Sequence, residues 1–92
     1  MKTVQVIVSG KVQHVGFRAC TKRIAASLGI GGMVQNRTDG RVEITATADQ
    51  AVLDKFVAMI YSCPRVVVRE IEVKTVLPQE FPDFCILREI RQ

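Results

Sequence analysis

Residues 3–28 read TVQVIVSGKVQHVGFRACTKRIAASL, and the spacing of apolar residues changes within this stretch. Thr3 to Ser9 is rich in β-branched residues and ends at Gly10, which predicts a strand. From Phe17 onward, apolar side chains recur at helical spacing until Gly29, a residue type that often ends helices. The chain therefore begins with a strand, a glycine-containing loop and a helix.

The remaining chain predicts a hairpin, a second helix and two further strands. Two short strand-like runs, residues 33–36 and 41–48, flank an Asp-Gly pair that is typical of hairpin turns. An apolar stripe predicts a helix over about residues 50–62, and strands are expected over about 66–76 and 84–87. This β-α-β-β-α-β order with a closing strand matches a ferredoxin-like α+β sandwich, in which two helices cover one face of an antiparallel sheet.

Composition indicates one ordered domain spanning residues 1–92. The chain is 48% apolar and 24% charged, and no apolar run approaches the roughly 18 residues of a membrane helix. We expect a cytoplasmic monomer that does not enter membranes. The net charge of +4 suits an anionic ligand, but no aromatic-rich strand offers a surface for stacking bases, so nucleic acid is not an expected partner.

The cysteines predict neither a disulfide framework nor a metal site. Cys20, Cys63 and Cys85 are odd in number, widely spaced and without a C-x-x-C pair. We expect reduced and mostly buried thiols.

Arg18 stands at the start of the first predicted helix, where the unpaired N–H groups carry partial positive charge and repel a cation. A bound anion would remove this conflict, because loop and helix amides can cradle a tetrahedral oxyanion while a guanidinium adds a planar fork of donors. The alternative is a solvated Arg18 beside glycines that only shape a turn. The predicted phosphate-binding residues are His14, Val15, Gly16, Phe17 and Arg18.

His14 and Asn36 are the other candidate site residues. His14, the single histidine, has a side-chain type that titrates near neutrality, but no motif places a nucleophile or carboxylate beside it, so we favour a surface or cradle role over a general base. Asn36 shares the strand face of Val34, where an unpaired carboxamide would be costly. It either satisfies backbone groups of the adjacent turn or holds a water near the cradle.

Two segments, GKVQHVGFR at 10–18 and GMVQNRTDGRV at 32–42, closely resemble the paired signatures of the acylphosphatases. The resemblance extends over nearly the whole chain, to a closing segment at residues 83–86. It implies hydrolysis of small-molecule acyl phosphates to carboxylate and inorganic phosphate, without metal or cofactor. It also implies that Arg18 and the loop amides bind the phosphoryl group and that Asn36 orients the attacking water.

Three residues depart from the signatures that the chain resembles. His14 replaces a commoner glycine, Met33 stands where an aromatic residue is usual, and Ala48 occupies a position that tends to carry glycine. Because Arg18 and Asn36 are unaltered, we expect the chemistry to persist. The rival interpretation is a non-catalytic anion-binding or protein-interaction module of the same fold.

Overall fold

The computed structural model describes residues 1–87 and contains two helices and five strands. Residues 88–92, which the predicted domain includes, lie outside the described residues. The element types and their order agree with the sequence analysis, and the boundaries differ by a few residues at most. The elements are β1 (Lys2–Lys11), α1 (Phe17–Leu28), β2 (Gly31–Asn36), β3 (Val42–Ala48), α2 (Gln50–Ile60), β4 (Val67–Val76) and β5 (Phe84–Ile86).

The sheet is mixed, whereas the sequence analysis predicted an antiparallel one. Its strand order is β4-β1-β3-β2-β5, and only the β2–β5 pair is parallel. β4 and β5 form the two opposite edges of the sheet. The segment that connects them crosses the sheet at the end where β4 finishes. β5 must therefore run back in the direction of β2. Hydrophobic periodicity identifies a strand but not this direction.

One face of the sheet packs against both helices and forms the core. Val4, Val6 and Val8 of β1 lie on this face with Phe17 of α1 and Phe56 of α2. Each such buried side chain contributes about 1.5–3 kcal/mol relative to exposure. The opposite face carries polar side chains, so the two helices lie on one side of the sheet as predicted.

Strand directions bring several segments to one end of the sheet. Both β1 and β2 are antiparallel to β3, so they run parallel to each other and their C-terminal ends lie together. The loop between β1 and α1, the N-terminus of α1 and the β2–β3 hairpin therefore share this end. The segment that enters β4 lies there too, because β4 is antiparallel to β1. We call this end of the molecule the loop end.

A bulge marks the exit of β1 toward the loop. The pairing between β1 and β4 shifts register between Ser9 and Gly10, and Gly10 has a φ of 126°. A Cβ atom at Gly10 would overlap the carbonyl oxygen of Val67, so this close approach of two strands requires glycine.

The prediction of reduced cysteines is wrong for two of the three. Cys20 and Cys63 form a disulfide, with Cα atoms 6.0 Å apart. α1 and α2 pack side by side, which brings Cys20 in the first turns of α1 next to Cys63 after α2. The two residues are 43 positions apart, and their proximity is a property of helix packing that spacing alone does not reveal. Cys85 is a free and exposed thiol, not a buried one.

The helices give no sign of membrane insertion. Within residues 1–87, neither is both long and apolar enough to cross a bilayer.

Candidate functional site

The loop between β1 and α1 is anchored at both ends and exposed in the middle. Val12 and Phe17 are each 1% exposed and belong to the core, whereas His14 and Gly16 between them are exposed. His14 and Gly16 both have left-handed backbones, with φ of 63° and 81°. The glycine that is commoner at position 14 in the acylphosphatase signature suits this conformation, which costs other residues about 1–2 kcal/mol.

The N-terminus of α1 follows this loop and has no negative side chain to balance its charge. Gly16 is the N-cap residue and therefore contributes no side-chain cap, and the first turn contains no acidic residue. Arg18 lies in the same turn, is half-buried, and forms no ion pair within residues 1–87. The partial positive charge of the helix N-terminus and the full positive charge of Arg18 therefore belong to the same helical turn, an arrangement that suits a bound anion.

A shallow hollow of about 210 Å³ lies against this helix N-terminus. It contains four of the five residues predicted to bind phosphate, and Val15 is absent because its side chain packs partly against the core. The hollow is lined by Val12, His14, Gly16, Phe17, Arg18, Ala19 and Ile86.

Larger hollows lie elsewhere on the surface, away from the helix N-termini. One of about 440 Å³ lies beside Gly29, at the C-terminal end of α1, where the helix dipole is negative. Another of about 410 Å³ lies on the open face of the sheet, where Arg37, Arg41 and Lys74 accompany Glu72. Neither contains a helix N-terminus.

Asn36 lies at the loop end but does not line the hollow of Arg18. It is the last residue of β2, two residues after Val34, whose register partner Ile86 lines the hollow. Since a strand advances about 3.3 Å per residue, Asn36 lies roughly 7 Å beyond Val34 on the same face. The structure therefore brings Arg18 and Asn36 to one end of the same helix-covered face.

Gln13 joins the loop to the hairpin that follows Asn36, a role that the sequence analysis missed. Its Nε2 donates hydrogen bonds to the carbonyl oxygens of Arg37 at 2.8 Å and of Arg41 at 2.9 Å. The sequence gives a glutamine inside the first motif, but no pattern points to its distant partners. These two bonds fix the loop relative to the end of β2.

Asn36 has a buried oxygen without a partner. Its Oδ1 atom is inaccessible to solvent, and no hydrogen-bond donor among residues 1–87 contacts it. The proposal that Asn36 merely satisfies the adjacent turn is not supported by this geometry, because Arg37, Gly40 and Arg41 bond one another instead. An unsatisfied buried acceptor costs about 1–3 kcal/mol, and a water can bond to this one only after neighbouring atoms move to admit it.

Ion pairs stabilise the hairpin turn that follows Asn36. Asp39 Oδ2 accepts hydrogen bonds from Arg41 at 2.7 Å and 3.0 Å, and from Arg37 at 3.2 Å. Bonds from the Arg41 side chain and backbone lower the pKa of Asp39 well below its usual value. The same contact raises the pKa of Arg41. The turn therefore keeps its ion pairs at neutral pH.

The described side chains offer no obvious place for a metal ion. Among residues 1–87, no three His, Cys, Asp or Glu residues are grouped as metal ligands. The chemical groups at the loop end are main-chain amides, guanidinium groups, the His14 imidazole, the Asp39 carboxylate and the carboxamides of Gln13 and Asn36. The fold and these groups define a ferredoxin-like α+β protein with a candidate oxyanion site.

Comparison with known proteins identifies the family. The acylphosphatase family model matches residues 4–86. An acylphosphatase of Archaeoglobus fulgidus is 44% identical over 91% of this chain and 96% of its own length, and one of Thermotoga petrophila is 40% identical over 94% and 97%. The crystal structure of acylphosphatase from Bacillus subtilis superposes with a TM-score of 0.90 at 36% identity, covering 95% of this chain and 99% of that one.

The chain therefore belongs to the acylphosphatase family. This membership confirms the resemblance drawn from the two motifs, the fold class, and the assignment to hydrolases that act on acyl phosphates.

Proposed function

We propose that this protein hydrolyses acyl phosphates with Arg18 and the loop amides binding the phosphoryl group and Asn36 holding the attacking water. The observation that carries the proposal is the unpartnered, buried Oδ1 of Asn36 at the same end of the sheet as an uncapped helix N-terminus bearing Arg18. Family membership supplies the reaction class. The residue roles are those that the resemblance of the two motifs implies, and the geometry supports them.

Arg18 and the amides of residues 14–18 supply complementary parts of the phosphoryl site. Backbone N–H groups point along the helix axis toward bound oxygens, and the guanidinium adds parallel N–H donors. In phosphoryl transfer, negative charge spreads over the nonbridging oxygens of the transition state. Donors fixed in advance stabilise that charge without reorganising during the reaction.

The Asn36 carboxamide orients water with its Nδ2 donor and its Oδ1 acceptor together. A water that donates one hydrogen bond to Oδ1 has an oxygen lone pair free to attack phosphorus on the side opposite the acyl oxygen. The P–O bond to the acyl group then breaks, and its electron pair leaves on the carboxylate. The surplus proton of the water passes to the phosphate product or to solvent.

The leaving group explains why the proposed site contains no general acid. A carboxylate is stable as an anion at neutral pH, since carboxyl groups ordinarily ionise near pH 4, and it needs no proton to depart. Positioning and charge stabilisation are then the main demands. His14 is left as a cradle residue.

The test uses benzoyl phosphate as substrate. Arg18→Ala should lose binding and turnover together, and Arg18→Lys should also fail substantially, because a point charge cannot reproduce the guanidinium fork. Asn36→Ala should lower kcat by roughly 100-fold or more with a small change in KM, as expected when one reacting group is misplaced.

Gln35→Ala is the matched control for Asn36. The substitution removes a side-chain carboxamide one residue away, on the opposite face of β2. The Gln35→Ala enzyme should therefore have the kcat and KM of the parent. Parental turnover in both the Arg18→Ala and Asn36→Ala enzymes would overturn the residue assignment.

A non-catalytic anion-binding module is the alternative that the fold permits. Inhibition by inorganic phosphate together with turnover favours the enzyme, whereas phosphate binding without turnover favours the module. Weak binding of RNA that shows no steep salt dependence would exclude a nucleic-acid function.

We also propose that residues 1–92 form one domain that works as a cytoplasmic monomer. The edge strand β4 alternates apolar with charged residues, including Glu70, Glu72 and Lys74, which discourages pairing with another sheet edge. Light scattering tests the monomer. Cell fractionation tests the location, and alkylation of free thiols in each fraction shows whether the Cys20–Cys63 disulfide persists there, since cytosolic disulfides are uncommon.

A further inference from the structure

Arg65 presents a second guanidinium at the loop end. A Cβ atom placed on Gly16, the N-cap of α1, would lie 3.9 Å from Nη2 of Arg65. Arg65 lies between α2 and β4, far from both sequence motifs. Its guanidinium therefore borders the same backbone segment that is proposed to bind the phosphoryl group.

The charge around Arg65 favours an anionic partner. No carboxylate of residues 1–87 forms an ion pair with Arg65 or Arg18. The first turn of α1 adds a positive partial charge and contains no acidic residue. Two guanidinium groups beside a helix N-terminus repel one another unless an anion lies between them.

The backbone of Arg65 is held from both sides. Cys63, two residues before Arg65, is 4% exposed and bonded to Cys20, which follows Arg18 by two residues in α1. The following Val66 packs against the core. Arg65 itself adopts a left-handed backbone with φ of 66°, an uncommon conformation for a non-glycine residue.

We propose that Arg65 is a second phosphoryl-binding residue and that the Cys20–Cys63 disulfide positions it over the loop. This inference rests on the proposed function. The disulfide ties the helix that carries Arg18 to the segment that carries Arg65, so the backbone positions from which the two side chains extend are held relative to each other. Binding of the dianionic phosphoryl group should depend on both, whereas the in-line water depends on Asn36.

Arg65→Gln tests the binding role, with Arg23→Gln as the matched control. Arg23 is an exposed arginine further along α1, so its substitution makes the same charge change away from the loop end. Arg65→Gln should raise KM for benzoyl phosphate and the inhibition constant of inorganic phosphate about five- to tenfold, with kcat within about twofold. Arg65→Lys should restore part of the loss.

The outcomes separate this inference from the proposed function. If Arg18→Ala is inactive but Arg65→Gln behaves like Arg23→Gln, the role of Arg65 is refuted and the proposed function stands. If Arg65→Gln lowers only the stability to urea and leaves the phosphate inhibition constant unchanged, Arg65 is a structural residue. Parental turnover by both Arg18→Ala and Asn36→Ala would instead refute the residue roles of the proposed function.

Reduction tests the positioning role of the disulfide. Dithiothreitol donates two electrons and two protons, converting the cystine to two thiols while forming its own cyclic disulfide. Reduction of the parent should raise the inhibition constant of phosphate toward that of Arg65→Gln. In Arg65→Gln, reduction should raise the inhibition constant of phosphate little further, because the guanidinium that the disulfide positions is already absent.

An equal effect of reduction in both backgrounds, or no effect in the parent, would overturn the positioning role. A folded state under each condition is verified by circular dichroism before the kinetics are compared.

Discussion

Reduction of the Cys20–Cys63 disulfide should strongly destabilise the fold. The bond closes a loop of 43 residues between α1 and the segment after α2. In the chain-entropy model, opening a loop of this length returns about 13 cal/mol/K to the unfolded chain, or about 4 kcal/mol at 25 °C. For a domain of 92 residues, this corresponds to a fall in Tm of about 20 °C.

The assay is urea unfolding of the native protein with and without a non-thiol reductant, followed by circular dichroism. Counts of free thiols verify each state: one before reduction, from Cys85, and three after it. Cys85→Ser is the control, because this exposed thiol lies outside the bond and its substitution should leave stability within about 0.5 kcal/mol. A loss on reduction below about 1 kcal/mol would refute the entropic argument, and three free thiols in the purified protein would refute the disulfide.

Three further predictions concern the loop end. His14→Gly should raise the free energy of unfolding by about 0.5–1 kcal/mol, because glycine relieves the left-handed backbone at a smaller entropic cost; a loss of stability in urea unfolding would contradict this. Gly10→Ala should lower stability by about 1–3 kcal/mol, since its Cβ meets the carbonyl of Val67, and unchanged urea unfolding would remove the steric argument. The pKa of Asp39 is lowered in the folded state, so its contribution to stability is present above about pH 4 and is lost as the pH falls further. In an NMR titration, Arg41→Gln should raise the pKa of Asp39 toward 3.8, and an unchanged value would exclude the Arg41 contacts as its cause.

Local patterns predicted most of the fold because the elements obey them individually. The helical spacing after Phe17 and the Asp-Gly turn depend on neighbours within a few residues, and both agree with the structure. The direction of β5 and the Cys20–Cys63 bond depend on where distant segments meet. No periodicity encodes such meetings, so the sequence analysis described the whole sheet as antiparallel and expected the cysteines to be reduced.

The candidate site shows the same division between local and distant signals. Arg18 and Asn36 could be selected from two motifs, because each has a residue type that conflicts with its local surroundings. Gln13 and Arg65 could not be selected in this way, since their partners at the loop end come from other parts of the chain.

The hydrogen bonds of Gln13 have a consequence for sequence variation in the hairpin. Both acceptors are main-chain carbonyls, those of Arg37 and Arg41, so the contact does not depend on which side chains stand there. Substitutions at either position can alter the outer surface of the turn while the loop and the end of β2 stay aligned. The link between the loop and the end of β2 is therefore insensitive to the side chains that the hairpin carries at these two positions.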